Sequence, residues 1–451
     1  MQAKKPEGTE DLFGARMRAW QAMQATAADV FGRYGFSAIE TPAMEQVDVF
    51  VHGIGQSTDV VRKEMFRVFS GQNFANVLEA GTDAKLKPGK RLALRPEGTA
   101  GFVRAAVENT FVPQGGAPVK MWYAGPMFRG ERVQKGRLRQ FHQVGAEVLG
   151  APDPALDAEV IIMLMDFYEE LGLDRSKMRL LINSMGDPAC RPAYRDAVAT
   201  FIREHADEMC EECLVRADTN PLRAFDCKND ACRAVMADAP LITDALCDEC
   251  AEHYAKVKQY LDEAGIAYEE DPTLVRGLDY YTRTVFEVQV TEGMGAQSAI
   301  GGGGRYDGLM ELEGGKPTPG IGFAVGFERI MLALEAQGVN LAGPEPTCVY
   351  VVSAAPECRD AVFRACLGLR RAGVTAEADY QGRSMKSQMK QADKHHARLC
   401  VIIGPDELAA GEATVRDMRT HEQRSVPLEN LACDVRDLVN DDAFAQADFP
   451  A

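Results

Sequence analysis

The sequence predicts an α+β body, interrupted by a helical insertion and followed by a small α/β domain. Three observations carry this. Two aromatic-rich strand segments, "VKMWYAGPMFRGE" and "RLRQFHQVGAEVLG", flank the polar stretch "GERVQKG" and read as a hairpin with a long loop. Over residues 187–255 the texture changes to Cys, Asp and Ala with helical patterning. Beyond the Pro/Gly-rich "NLAGPEPT", strands and helices alternate β-α-β-α-β, which implies a mostly parallel sheet. The expected division is a body over 1–335 holding the insertion 187–255, a linker over 336–347 and a C-terminal domain over 348–451.

The elements follow in order. "RMRAWQAMQATAADVFGRYG" (16–35) reads as a helix stopped at Gly35, and "FSAIETP" as a strand stopped by Pro42. Strands are expected at 62–70 and 91–94. "RPEGTAGFVRAAVEN" (95–109) reads as a turn feeding a helix, with Thr99 as its N-cap. The hairpin comes next, then an amphipathic helix at 155–172 and a strand at "MRLLINSMG". From 276 a Gly-punctuated strand texture returns and ends in "GIGFAVGFERIMLALEAQG", a strand leading into a helix.

Bulk properties narrow the function. A chain of 451 residues suggests two to four domains. With 46% hydrophobic residues it can build sizeable cores. No window approaches ~20 consecutive apolar residues, so no membrane span is expected. "MQAKKPEGTEDLFGARM" lacks the apolar region of a signal peptide, which points to the cytoplasm. The net charge of −17 and pI near 5.0 argue against a general nucleic-acid coat while leaving room for a local basic patch. Twelve cysteines without a signal read as thiols or metal ligands rather than disulfides.

Four stretches carry chemistry. "FRGERVQKGRLRQ" sets Arg129, Arg132, Lys135, Arg137 and Arg139 in a loop between two buried strands. This suits a polyanion near the sheet and nucleic acid at the loop tip. In "RGLDYYTRTVFEVQV" strand alternation would send Tyr280, Thr282, Thr284 and Phe286 to one face and Tyr281, Arg283, Val285 and Glu287 to the other. There the phenols would hold a small polar ligand and Arg276 would face an anion. "IGGGGRYDGL" (300–309) reads as a hairpin turn or as a close backbone approach to a ligand. No Gly-Lys-Ser/Thr follows it, so it is not a phosphate-binding Walker loop. In "GFERIMLALE" Arg329 falls in the first turn of a helix, where anions and aromatic rings are favoured partners.

These stretches, in this order, resemble the histidyl-tRNA synthetases, a family of class II aminoacyl-tRNA synthetases. "RGLDYYTRTVFE" followed by "GGGGRYDGL" is similar to the family's histidine signature. "YAGPMFRGERVQKGRLRQFHQVGAE" is similar to class II motif 2, "GIGFAVGFERIMLAL" to motif 3, and the helix 16–35 with Pro42 to motif 1. The resemblance implies an antiparallel sheet flanked by helices, a homodimer and a C-terminal anticodon-binding domain. It implies an enzyme that joins L-histidine to ATP, with Mg2+, and passes histidine to the terminal adenosine of its tRNA. It assigns Glu97, Gly98 and Thr99 to the histidine α-amino group. Arg129 takes the α-phosphate and, with Gln143, the carboxylate, and Arg276 stands opposite Arg129. Glu131, Phe141 and Arg329 hold the adenine. Glu147 and Tyr281 read the imidazole, closed by Tyr280 and supported by Tyr306. Gln134 and Arg139 meet the acceptor end of the tRNA, and Lys386, Lys390 and Lys394, with Arg383, form a basic stripe for it.

The insertion adds "CEEC", "CKNDAC" and "CDEC". Paired CxxC units have the spacing of a structural zinc site, which would take Cys210, Cys213, Cys247 and Cys250 and leave Cys227 or Cys232 spare. Reduced structural thiols are the alternative.

Overall fold

The computed structural model describes residues 3–55, 58–80, 88–113, 115–275, 277–290, 292–294, 298–343 and 349–440. The chain divides into two compact units, residues 1–343 and 344–451.

The first unit opens with α1 (Gly14–Arg33), β1 (Ser37–Ala38), β2 (Met44–Gln46) and α2 (Val47–Ile54). A π-helical turn at Val60–Glu64 precedes β3 (Arg67–Val68), α3 (Gly71–Ala80), β4 (Leu92–Leu94) and α4 (Thr99–Glu108). The expected strand 62–70 is therefore reduced to two residues, because its first part coils. Then come the hairpin β5 (Val119–Phe128) and β6 (Gln140–Leu149), followed by α5 (Pro154–Glu170) and β7 (Met178–Ser184). Four helices fill the insertion: α6 (Arg191–Glu204), α7 (Glu211–Thr219), α8 (Asp230–Met236) and α9 (Asp248–Glu263). The unit closes with β8 (Glu269–Glu270), β9 (Thr282–Val290), β10 (Ala299–Arg305), α10 (Leu309–Leu312), β11 (Gly320–Gly326) and α11 (Phe327–Ala336).

An eight-stranded sheet organises this unit in the order β1-β5-β6-β11-β10-β9-β7-β8. Its six inner strands are antiparallel to their neighbours, and only the two edge strands run parallel. Side-chain alternation sorts its two faces. β6 sends Val144, Ala146 and Val148 into a core with α1, α5, α9 and α11, where Phe31 packs on Trp122, Phe167 and Phe323. β11 adds Ile321, Phe323 and Val325 to the same core. The residues between them, Gly320, Gly322, Ala324 and Gly326, leave the opposite face bare, and a cavity opens there. A second core lies beyond, formed by α4, α10 and the insertion with Leu181, Val285 and Tyr306. α5 is buried around most of its circumference rather than along one stripe.

The glycine run 301–304 is strand, not turn. It lies between β9 and β11, and a Cβ on Gly303 would come within 1.9 Å of the Gly322 carbonyl oxygen. The strands can approach this closely only without a side chain there.

The second unit holds β12 (Val349–Ser353), α12 (Arg359–Arg371), β13 (Ala376–Ala378), α13 (Met385–Lys394), β14 (Leu399–Ile403), α14 (Pro405–Ala410), β15 (Glu412–Asp417), β16 (Gln423–Pro427) and α15 (Leu431–Asn440). β13, β12 and β14 are parallel, and β15 and β16 extend the sheet antiparallel.

Candidate active site

A cavity of about 270 Å3 opens on the glycine-bared face of the large sheet. The start of α4 contributes Thr99 and the turn before it Glu97, and the β5–β6 hairpin contributes Arg129, Glu131, Phe141 and Gln143. From the segment before β9 come Tyr280 and Tyr281, with Glu287 further along that strand. Tyr306 follows β10, and Arg329 sits in the first turn of α11. Gly98 and Glu147 stand behind the cavity wall rather than on it. Arg276 lies outside the described residues.

Glu97 is buried and caps α4. Its carboxylate accepts the backbone N–H of Thr99 at 2.7 Å and of Ala100 at 2.9 Å. Burial raises its pKa, and these two bonds hold the rise down. Thr99 is consequently the first residue of the helix and not its N-cap, which corrects the sequence expectation. Its hydroxyl instead donates to Glu147 at 2.6 Å.

Glu147 is a fully buried hub. Besides Thr99 it accepts the hydroxyls of Tyr123 at 3.1 Å and Tyr306 at 2.6 Å. Burial pushes its carboxyl up to about 8 despite these hydrogen bonds. Close approach is built in, since a Cβ on Gly322 would lie 1.9 Å from Glu147 Oε2 and one on Gly98 would lie 2.2 Å from the Tyr123 ring.

Arg129 anchors its Nε on the Pro96 carbonyl at 2.9 Å and lies 5.3 Å from the centre of the Phe141 ring. Its guanidinium thus stands over an aromatic plane at the cavity edge. Arg329 donates to the Ala299 carbonyl at 2.7 Å, and burial lowers its pKa. Gln143 lines the cavity with its amide Oε1 buried and unpartnered, which marks a place for a polar ligand. Glu131 pairs with Arg137 at 3.3 Å.

Tyr280 and Tyr281 both line the cavity, their ring centres 4.6 Å apart, and Tyr306 meets Tyr280 edge-on at 5.8 Å. Strict alternation would have parted them. It fails because β9 begins only at Thr282 and its register with β10 slips just after, where Arg283 takes a left-handed φ of 48°. Burial holds the phenols of Tyr123, Tyr280 and Tyr306 well above their ordinary pKa, so each stays a hydrogen-bond donor.

The loop residues fall elsewhere. Gln134 and Arg137 exchange backbone hydrogen bonds across a tight turn whose Gly136 has φ +74°. Arg139 pairs with Glu7 at 3.4 Å. Lys386, Lys390 and Lys394 are exposed on α13, whereas Arg383 is tied to Asp379 at 3.2 Å.

The cysteine expectation needs correction. Cys210 and Cys213 do not converge with Cys247 and Cys250. They gather with Cys227 and Cys232, while Cys247 and Cys250 gather with Asp187 and Cys190.

Sequence reasoning missed Tyr123, whose only hint is glycine at 98 and 145 making room for its ring. It also missed a buried ion cluster. Arg305 Nε donates to Asp157 at 3.1 Å, and His253 Nε2 lies 2.9 Å from the same carboxylate. Burial would raise the Asp157 pKa, but His253 and Arg305 hold it below the ordinary carboxylate value.

A mostly antiparallel sheet with paired arginines around a polar cavity, followed by a separate α/β unit, is the arrangement of a class II aminoacyl-tRNA synthetase. A family profile described as histidyl-tRNA synthetase matches residues 8–330, and one described as anticodon binding domain matches residues 348–438. The histidine–tRNA ligase of Halothermothrix orenii is 46% identical, covering 97% of this chain and all of that protein. That of Moorella thermoacetica is 46% identical over 95% of this chain and 96% of its own length. The crystal structure of apo Staphylococcus aureus histidyl-tRNA synthetase superposes with a TM-score of 0.78 at 35% identity, covering 96% of this chain and 99% of that one. The chain belongs to the histidyl-tRNA synthetase family. It is a histidine–tRNA ligase, which activates L-histidine with ATP, releases pyrophosphate and transfers histidine to the 3′-terminal adenosine of its tRNA.

Proposed function

We propose that the sheet cavity is where histidyl-adenylate forms, and that its residues divide the work as follows. Glu97 and Thr99, beside Gly98, take the histidine α-amino group, a cation suited to a carboxylate and a hydroxyl. Gln143 orients the substrate carboxylate. Arg129 on one side and Arg276 on the other neutralise the α-phosphate while that carboxylate attacks phosphorus in line. No protein nucleophile is needed, because the substrate supplies it. Charge spreads over the phosphoryl oxygens, and a guanidinium held ready beside them, as Arg129 is by the Pro96 carbonyl, contributes roughly 2.7–4 kcal/mol by analogy with single oxyanion donors. Phe141 and Arg329 sandwich the adenine, with Glu131 beside it. The Mg2+ that accompanies ATP would offset charge on its phosphates, and the Glu287 carboxylate on the cavity wall is a hard oxygen donor that would hold it.

Glu147 supplies the carboxylate that fixes the imidazole tautomer. An imidazole N–H at the cavity floor replaces one of the three hydroxyl donors now aimed at it. Tyr281 contacts the ring, Tyr280 closes over it and Tyr306 holds Glu147 in place. Gln134 and Arg139 meet the acceptor end of the tRNA, and Lys386, Lys390 and Lys394 meet its phosphates. The enzyme works as a cytoplasmic homodimer, a reading supported by the exposed Phe13, Met17 and Met44 on and beside the segment that resembles motif 1.

The observation that carries the site assignment is the meeting, in one cavity, of two arginines on aromatic or backbone anchors with three mutually packed tyrosines, one of which donates to a buried carboxylate. ATP–pyrophosphate exchange, run without tRNA with each of the twenty amino acids, tests it. Exchange with histidine alone is expected. In Tyr281→Ala, discrimination against other amino acids is expected to weaken; unchanged selectivity there would remove the imidazole-reading role.

A further inference from the structure

We propose that the insertion holds two tetrahedral zinc ions, one on Cys210, Cys213, Cys227 and Cys232 and the other on Asp187, Cys190, Cys247 and Cys250. In each group the four ligand atoms lie within 4.8 Å of one another. Tetrahedral zinc with Zn–S near 2.3 Å sets its sulfurs roughly 3.8 Å apart, and a carboxylate oxygen slightly closer. The sulfurs of Cys210 and Cys227 are 3.9 Å apart, as are those of Cys190 and Cys250. Asp187 Oδ1 lies 3.7 Å from the Cys190 sulfur and 3.9 Å from that of Cys247.

The surroundings suit thiolates. Each CxxC pair straddles a helix N-terminus, with Cys210 and Cys247 as N-caps of α7 and α9 and Cys213 and Cys250 in the first turns. Two unrelated helices share this geometry, and the helix dipole there favours negative charge. Backbone amides point at sulfur: Cys210 N donates to Cys232 Sγ at 3.2 Å, and Asp187 N to Cys190 Sγ at 3.4 Å. Arg283 holds the other oxygen of Asp187 at 3.1 Å, and Oδ1, which also accepts the Ala189 N–H at 2.9 Å, faces the sulfurs; such outer support is usual for a metal-bound carboxylate. Buried cysteines acting as small hydrophobes need neither the convergence of four donors nor a carboxylate among them.

The two groups are nested in sequence. The inner one staples α7 to α8. The outer one closes the neck where the insertion leaves the sheet and returns, and Arg191, next to Cys190, donates to the Tyr281 carbonyl at 2.5 Å.

Metal analysis of the full-length protein, purified untagged and without chelator under reducing conditions, tests the assignment independently of catalysis. Two zinc ions per chain are expected. Cys210→Ser with Cys213→Ser should leave one, and Cys247→Ser with Cys250→Ser should leave the other. No zinc, or a single ion lost from both double variants, overturns the proposal. If the variants do not fold, mercurial titration of the wild-type protein with a zinc-sensitive dye decides. Release of two equivalents supports the proposal, and one or none overturns it.

Discussion

Glu147 joins the proposed imidazole-reading role to a consequence for stability. Three hydroxyls aim at it, yet burial wins and pushes its carboxyl up to about 8 from an ordinary 4.5. The folded state therefore holds a proton there that the unfolded chain has lost. The stability tied to that proton is fully present below the ordinary value, and it fades as pH rises from there through 8. One linked proton changes stability by about 1.4 kcal/mol per pH unit in the middle of such a window. Glu147→Gln keeps the shape and removes the titration. Its unfolding free energy, measured by denaturant at pH 5, 6.5 and 8, should decline less steeply than that of the wild-type protein. Equal slopes would place the titration elsewhere. The same variant should bind histidine more weakly, because its amide cannot give up a proton to become the carboxylate that accepts the imidazole N–H.

Between elements, two kinds of close fit hold the site in place. The first is steric. Gly322→Ala would drive a Cβ to 1.9 Å from Glu147 Oε2 and 2.5 Å from the Ala146 carbonyl oxygen, so β11 must part from β6 or Glu147 must swing away. A loss of about 1–3 kcal/mol in stability is expected, with pyrophosphate exchange falling more than stability alone explains. Melting and exchange measured together would check it. The second is ionic. Asp157 on α5 joins Arg305 on β10 to His253 on α9, with the Asp157 and Arg305 side chains fully buried. Asp157→Ala leaves the buried Arg305 guanidinium only the Asp307 carboxylate and the Ala151 carbonyl, and should cost about 3 kcal/mol in a denaturant titration. The exposed Arg203–Asp218 pair is a control expected to lose less than about 1 kcal/mol.

These same elements show what could be read from the sequence. The β5–β6 hairpin, α4, β11 leading into α11 and the parallel core of the second unit announce themselves by alternation, turn residues and caps. Hydrophobic period says nothing about a register slip, so the left-handed Arg283 and the shared wall of Tyr280 and Tyr281 were hidden. Asp157, His253 and Arg305 lie roughly 50 to 150 positions apart and carry no local pattern. The CxxC units were visible, but spacing alone cannot choose partners across a folded insertion, and the first pair was matched to the last instead of to Cys227 and Cys232 beside it. β15 and β16 were missed because their polar edges, "EATVRD" and "QRSVP", look like loop.

Across the whole chain, a net charge of −17 must coexist with binding a polyanion. Uniform attraction cannot achieve this, so binding must rest on local cations that outface the surrounding field. Lys386, Lys390 and Lys394 are exposed at one-turn intervals along α13, while nearby Arg383 is already engaged by Asp379. Those three lysines are free to release counterions on meeting phosphates. Replacing all three by alanine should raise the KM for tRNA in aminoacylation and leave ATP–pyrophosphate exchange unchanged, since adenylate formation uses no tRNA. The plot of log affinity against log salt should also flatten, by about 2–3 if each lysine contacts one phosphate. A variant that loses exchange as well would show that the substitutions damaged the fold. One that keeps the full salt slope would move the tRNA contact to another surface of the second unit.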